Sequence, residues 1–179
     1  GGTTPVIDFA PVPNEGDLAA GIHDFLTPWQ GNTYTDYSTH CIYSNRNTPD
    51  AISRYKELLD AGFPSIKVFT TDIRPPEGRV NSLTPGGKTD AGRIEHLMTE
   101  IARHGGILAV HGEDDELVMY NYLMAQQRGH WDWHNVHMIH SKTVEDLAFR
   151  SVLRLAERTE VGLYFVHVTA KEGLDAISE

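Results

Sequence analysis

The 179-residue sequence predicts an α/β protein, namely part of a (β/α)8 TIM-type barrel with about five βα units. Short apolar runs rich in β-branched residues alternate with longer amphipathic stretches, a pattern typical of parallel strands joined by helices. Ionisable side chains stand at or near the ends of several runs, and barrel enzymes draw their catalytic groups from the carboxyl ends of several strands. The glycine motifs of nucleotide-binding folds, GxGxxG and GxxxxGKS or GxxxxGKT, are absent from the sequence. These observations favour a barrel over a doubly wound sheet.

Five apolar runs have the composition of buried strands, and turn-forming Gly, Pro, Asn or Asp residues bound them. They cover residues 5–9, 34–43, 65–69, 106–111 and 162–168. Because parallel strands need a crossover about as long as a helix, we expect a helix on the outer face of the sheet between successive strands.

The stretches between the runs predict helices at about 15–28, 48–61, 89–104, 114–128 and 142–158. Two of these helices have recognisable start signals, at Thr48-Pro49-Asp50 and at Ser141 through Glu145. The connection 72–88 has 17 residues, which is longer than ordinary connections. It is therefore a predicted active-site lid or binding loop.

Composition excludes several classes of function. The chain has 15 Lys and Arg against 25 Asp and Glu, a net charge of -10, which argues against a nucleic-acid partner. A single cysteine, Cys41, rules out a disulfide framework. We see no apolar run near the roughly 18 residues of a membrane span and no basic leader before an apolar segment. We therefore expect a cytoplasmic protein with no membrane partner.

Lys67 is the first residue that could carry chemistry, because it lies inside the apolar run Ile66-Lys67-Val68-Phe69. An ammonium group buried there is costly unless it is paired or neutral. In one interpretation the long side chain carries its charge to solvent. In the other, burial favours loss of the proton. A neutral amine can take up CO₂ and become a carbamate that bridges two divalent metals.

His111 and His167 are the next candidates, because each closes or interrupts an apolar run. Alone, either would be interpreted as a hydrogen-bonded core histidine. Together they stand at equivalent ends of two runs, and adjacent strands lie only about 5 Å apart, close enough for both imidazoles and a Lys67 carbamate to converge. Nitrogen and oxygen ligands without thiolate suit Zn²⁺, with Mn²⁺ or Fe²⁺ as alternatives. Such a centre would lower the pKa of a water molecule and polarise an amide carbonyl.

A second group of histidines lies in the segment 130–140, and consists of His130, His134, His137 and His140. If the segment were helical, these imidazoles would lie near one face and could hold a metal. Gly129, Asn135 and two tryptophans weaken a helix, so we expect a loop with surface histidines and aromatic packing.

Three further polar residues stand near strand ends. We expect His40 to line the pocket. We expect Glu113 and Asp114, which follow His111, to begin the next helix, because negative charge is favourable at a helix start.

Six short landmarks follow one another along nearly the whole chain. They are GGTT at 1–4 leading to IDF at 7–9, DYSTH at 36–40, SIKVF at 65–69, VHGE at 110–113, Glu145 through Arg150, and LYFVHV at 163–168. In this order they resemble the dihydropyrimidinase and D-hydantoinase family, cyclic amidohydrolases of the amidohydrolase superfamily, with dihydroorotase and allantoinase as more distant relatives.

The resemblance implies a role for each candidate. Lys67 would be the carboxylated lysine that bridges two metal ions, and His111 and His167 would be metal ligands from the next barrel strands. The five runs would then correspond to strands two to six of the eight. The family's first strand supplies an HxH pair and its eighth an Asp; no HxH triplet occurs in the 179 residues. We therefore expect residues 1–179 to be the incomplete central segment of a metal-dependent amidohydrolase barrel domain.

The implied activity is hydrolysis of a non-peptide C–N bond, namely metal-hydroxide ring opening of a small cyclic amide or ureide related to hydantoin or dihydropyrimidine. The expected cofactors are two divalent metal ions, Zn²⁺ first, together with carboxylated Lys67. We expect the segment to be inactive by itself, and family analogy suggests a homo-oligomer. The family's tyrosine beyond the lysine is missing from 68–73, so the particular cyclic amide stays open. The alternative is a non-enzymatic, dihydropyrimidinase-related scaffold protein.

Overall fold

A computed structural model describes residues 2–72, 87–130 and 132–179. Within these residues, five strands form one sheet in the order of the sequence, and every neighbouring pair is parallel. The strands are β1 (Pro5–Pro11), β2 (Asp36–Ile42), β3 (Ser65–Phe69), β4 (Ile107–His111) and β5 (Leu163–Phe165). A sequential order without reversal is the arrangement of a barrel segment, whereas a doubly wound sheet reverses its strand order. The predicted α/β fold, with five strands of a barrel, is confirmed.

Helices occupy the connections between the strands. Those in the described residues are α1 (Leu18–Leu26), α2 (Pro49–Ser53), α3 (Tyr55–Asp60), α4 (Ala91–His104), α5 (Asp115–Gln127), α6 (Val136–Ile139), α7 (Lys142–Thr159) and α8 (Lys171–Ser178), with short 3-10 helices at Thr27–Trp29 and Trp133–Asn135. Four of these helices are capped at the N-terminus by a side chain that accepts a hydrogen bond from the first turn, namely Asp17, Thr48, Asp90 and Asp114. The predicted lid or binding loop at 72–88 falls mostly outside the described residues.

The two faces of the sheet differ sharply in burial. On the helix side, the row formed by Ala10, Cys41, Ile66 and Leu108 is fully buried. It packs against apolar residues of α1 to α4 and α7 in one continuous core. On the other side, Ile7 is 51% exposed, Phe9 42% and Tyr164 54%. The residues that point away from the helices are therefore the ones free to build a site.

Two predicted elements are corrected by the structure. The fifth strand ends at Phe165 rather than continuing to 168, so His167 lies in the turn beyond the strand, with a φ of 37°. The loop expected at 130–140 contains helical turns, because Ile139 is buried in a small apolar cluster with Val118 and anchors α6 beneath α5.

In the described part of the chain, we find no helix both long and apolar enough to cross a bilayer.

Candidate active site at the carboxyl ends of the strands

Lys67 is buried in the middle of the sheet. It lies on β3 between Ile42 of β2 and Ala109 of β4, and it is only 2% exposed. The interpretation in which it carries its charge to solvent is therefore wrong. Its Nζ donates to the Val68 carbonyl oxygen at 2.7 Å and lies 3.6 Å from the centre of the Phe69 ring.

The environment of this amine favours the neutral form. Burial lowers the pKa of Lys67 from its usual value to about 7. Among the described residues, no carboxylate forms an ion pair with Nζ that would restore the charge. Burial thus favours the unprotonated, nucleophilic form of this amine.

The structure brings the imidazoles of His111 and His167 into contact. His111 is the last residue of β4 and pairs with Phe69 of β3. Its Nδ1 lies 2.9 Å from Nε2 of His167, which the turn after β5 brings back toward the sheet. Burial, and next the nearby His111, lower the pKa of His167. The lowered pKa suits the His167 ring to act as a neutral ligand.

Glu113 does not begin the next helix, as we expected, but binds two imidazoles. Asp114 caps α5 instead, and the Glu113 carboxylate lies 2.9 Å from Nε2 of His111 and 2.8 Å from Nδ1 of His140. Burial by itself raises the pKa of Glu113, but the hydrogen bonds from His111 and His140 outweigh it and lower the pKa to about 2. Glu113 is thus a fixed anion behind His111. The only signal for it in the sequence is the spacing His-x-Glu at a strand end.

Backbone contacts fix the end of β4. The Thr70 hydroxyl, just beyond β3, donates to the Glu113 carbonyl at 2.6 Å and accepts from the Glu113 N–H at 2.7 Å. Gly112 lies so close to Phe149 that an added Cβ would come within 2.5 Å of the ring. The position between His111 and Glu113 therefore requires glycine.

Glu145 holds the turn that carries His167. This buried carboxylate on α7 accepts from the Thr169 hydroxyl at 2.6 Å and from the N–H groups of Thr169 and Ala170 at 3.2 and 2.8 Å. It thereby supplies acceptors for backbone N–H groups just before α8 begins.

His40 lies on the same face of the sheet as Lys67, but it is not among the residues that line the cavity beside His111 and His167. Its Nδ1 is 2.7 Å from the hydroxyl of Ser65. Burial, and next the charge of Lys67, lower its pKa. Of the second histidine group, only His140 contacts these residues. His134 lies near Asp132, with both side chains exposed, so the prediction of surface histidines fits His134 but is wrong for His140.

The imidazole nitrogens of His111 and His167 are donor atoms that suit a divalent metal ion. Two nitrogens bound tetrahedrally to one Zn²⁺ are about 3.3 Å apart, so the pair His111 and His167 would open by only a few tenths of an ångström. A carbamate on Lys67 would add the oxygen donors. In the described residues, no three His, Cys, Asp or Glu side chains form a group able to hold a metal ion.

A cavity of about 350 Å³ opens beside the two imidazoles. Its lining includes His111, Glu113, His140, Glu145 and His167. Its volume lies at the lower end of the range for small-molecule sites.

Comparison with known proteins gives D-hydantoinases and an allantoinase as similar sequences. No protein-family model matches the chain. The D-hydantoinase of Streptomyces coelicolor is 28% identical over 175 residues, covering 97% of this chain and 35% of that protein. The D-hydantoinase of Geobacillus stearothermophilus is 25% identical over 183 residues, covering 100% of this chain and 36% of that protein. An allantoinase from Streptomyces avermitilis is 27% identical over 135 residues, covering 73% of this chain and 26% of that protein.

Solved structures agree in fold. A dihydropyrimidinase from Brevibacillus agri superposes with a TM-score of 0.84 at 21% identity, covering 99% of this chain and 36% of that one. A D-hydantoinase superposes with a TM-score of 0.85 at 24% identity and the same coverage. The chain thus spans about 36% of the length of the proteins it matches. The chain is thus similar in sequence to D-hydantoinases, and its fold matches a segment of a dihydropyrimidinase structure, which confirms the resemblance inferred from its landmarks.

Proposed function

We propose that residues 1–179 are the central part of the catalytic barrel of a metal-dependent hydrolase that opens the ring of a cyclic amide or ureide. One observation carries this proposal: the paired imidazoles of His111 and His167 lie at the carboxyl ends of a parallel sheet whose central strand buries a lysine of lowered pKa. The similar proteins, a D-hydantoinase and an allantoinase, supply the substrate class.

Lys67, His111 and His167 are the residues that would hold the metal ions. Zn²⁺ suits the nitrogen donors best, with Mn²⁺ or Fe²⁺ as alternatives. When bound, the divalent ions lower the pKa of a water molecule and polarise the ring carbonyl.

Lys67 must be carboxylated before it can bind a metal ion. Its uncharged amine attacks CO₂, an N–C bond forms, one proton leaves, and the resulting carbamate is an anionic oxygen donor. The apolar setting that lowers its pKa makes this reaction accessible near neutral pH.

The remaining residues position these groups and shape the cavity. Glu145 anchors the turn of His167, and Thr70 ties the end of β3 to the end of β4. A small cyclic amide is of the right size for the cavity beside the imidazoles. We propose a homo-oligomer in the cytoplasm without nucleic-acid partners, in keeping with the acidic charge and the free, buried Cys41.

The decisive experiment compares the protein with Lys67→Ala after incubation with bicarbonate and Zn²⁺. We expect bound zinc and hydrolysis of hydantoin or dihydrouracil in the full-length protein that carries this chain, and loss of both in Lys67→Ala. Lys56→Ala is the matched control, because Lys56 is an exposed helix residue paired with Asp60. Unchanged zinc content and hydrolysis in Lys67→Ala would disprove the assignment. Zinc-free, inactive protein would favour the scaffold alternative.

A further inference from the structure

A line of hydrogen bonds runs from the pair of imidazoles into the protein. His111 Nε2 lies 2.9 Å from one oxygen of Glu113, and His140 Nδ1 lies 2.8 Å from the other. The hydroxyl of Tyr122 lies 2.9 Å from His140 Nε2. Tyr122, on α5, and His140, just after α6, therefore reach His111 through one carboxylate.

If the imidazoles are neutral and Glu113 is ionised, only one arrangement of protons gives each contact in this line one donor and one acceptor. A carboxylate accepts and cannot donate, so Nε2 of His111 and Nδ1 of His140 must both carry hydrogen. The remaining nitrogen of each ring is then an acceptor. Nε2 of His140 accepts from the Tyr122 hydroxyl, and Nδ1 of His111 presents its lone pair to His167.

We propose that Glu113 is a positioning residue, held in place by His140 and Tyr122, that fixes His111 as its Nε2–H tautomer and aims its Nδ1 lone pair at the site shared with His167. The tautomer follows from the contacts alone, whereas its use in metal binding rests on the proposed function. Carboxylates that bind the outer nitrogen of a ligand histidine have this effect in metal sites generally.

The surroundings of Glu113 make it a rigid support. Its side chain is 14% exposed and that of His111 13%, so water competes little for these hydrogen bonds. Thr70 clamps the Glu113 backbone, and Phe149 packs over Gly112. These contacts fix the backbone from which the Glu113 carboxylate projects toward His111 and His140.

A purely structural role for Glu113, tying α6 to β4, predicts a different result. Its removal would then lower stability without changing tautomers or metal affinity selectively. The two roles can be separated by observing the rings directly.

The experiment records long-range ¹H–¹⁵N spectra of ¹⁵N-histidine-labelled, metal-free protein and measures Zn²⁺ affinity by competition with a chelator. In the wild type we expect Nε2–H on His111 and the less common Nδ1–H on His140. In Glu113→Ala we expect His140 to revert to Nε2–H and Zn²⁺ affinity to fall about 10- to 100-fold. Tyr122→Phe keeps the ring, and should give a mixed His140 tautomer and a smaller loss of affinity. Glu116→Ala, an exposed acid on the same helix, is the control and should change neither.

Nδ1–H on His111 in the wild type would overturn the proposal, and so would an unchanged His140 tautomer in both variants. Unchanged Zn²⁺ affinity in Glu113→Ala, with Lys67→Ala abolishing binding, would also overturn it. If the full-length wild-type protein that carries this chain binds no Zn²⁺, the proposed function fails, and the two tautomers alone decide whether Glu113 positions His111.

Discussion

Two buried ionisable side chains, Lys67 and Glu145, are accommodated in opposite ways. Burial favours loss of the charge of Lys67, and among the described residues no carboxylate pairs with its Nζ. The Glu145 carboxylate accepts hydrogen bonds from Thr169 and Ala170. The burial of Lys67 could be predicted from its apolar neighbours in sequence. The partners of Glu145 could not, because they lie 24 and 25 residues away.

Replacing Glu145 by Gln should destabilise the protein by about 1–3 kcal/mol, because the amide NH₂ would face backbone N–H groups that now donate to an oxygen. Urea unfolding measures the loss, and amide exchange in α8 should accelerate. Glu157→Gln, an exposed pair with Arg154, is the control and should change stability by less than about 1 kcal/mol. Equal effects of both substitutions would show that the Glu145 hydrogen bonds do not hold the turn.

Three residues of the acidic stretch 113–116, between β4 and the first turn of α5, make different contacts. Glu113 faces the imidazoles, Asp114 caps α5, and Asp115 binds Thr71 and the N–H of Asp72 beyond β3. The pattern predicted a helix start, and one is present. The sequence alone does not show which acid caps α5 and which one contacts the imidazoles, because this depends on contacts with β3 and with the residue that follows α6.

Asp115 should make stability dependent on pH. Burial alone raises its pKa, but hydrogen bonds from Lys88, Asp72 and Thr71 outweigh it, so the pKa is lowered. A group with a lowered folded pKa stabilises the protein above its unfolded value, near 4, and this contribution is lost as pH falls further. We expect Asp115→Asn to lower stability by about 1–2 kcal/mol at pH 7 and by less at pH 3. A difference in unfolding free energy that stayed constant between these pH values would contradict the assignment.

Most strands and helices could be predicted from the sequence, whereas the detail of the site could not. Residues 65–69 coincide with β3, and the predicted helix 142–158 is one residue shorter than α7, because apolar periodicity and start signals are local properties. The fifth strand is shorter than its apolar run, since Val166 and His167 turn away after Phe165. His140 was assigned to the surface because its partner, Glu113, lies 27 residues away.

At the scale of the whole molecule, the described sheet has helices on one face and exposed apolar residues on the other. Such an open face, bounded by two edge strands, favours association. We therefore expect the 179-residue chain to self-associate in sedimentation experiments as its concentration rises.

Tyr164→Ser should weaken this association, because Tyr164 lies on the open face and is 54% exposed. Tyr120→Ser is the matched control, since Tyr120 is 58% exposed but lies on α5, outside the sheet. A chain that stays monomeric at all concentrations, or equal effects of the two substitutions, would contradict this prediction.

We propose that Lys67, His111 and His167 form one metal site. Anomalous diffraction at the zinc edge, from crystals of the full-length protein grown with Zn²⁺ and bicarbonate, would locate the ion. We expect an anomalous peak about 2.0–2.1 Å from both His111 Nδ1 and His167 Nε2, with added density on the Lys67 amine. A peak only at the histidines of 130–137, or none beside an unmodified Lys67, would contradict it.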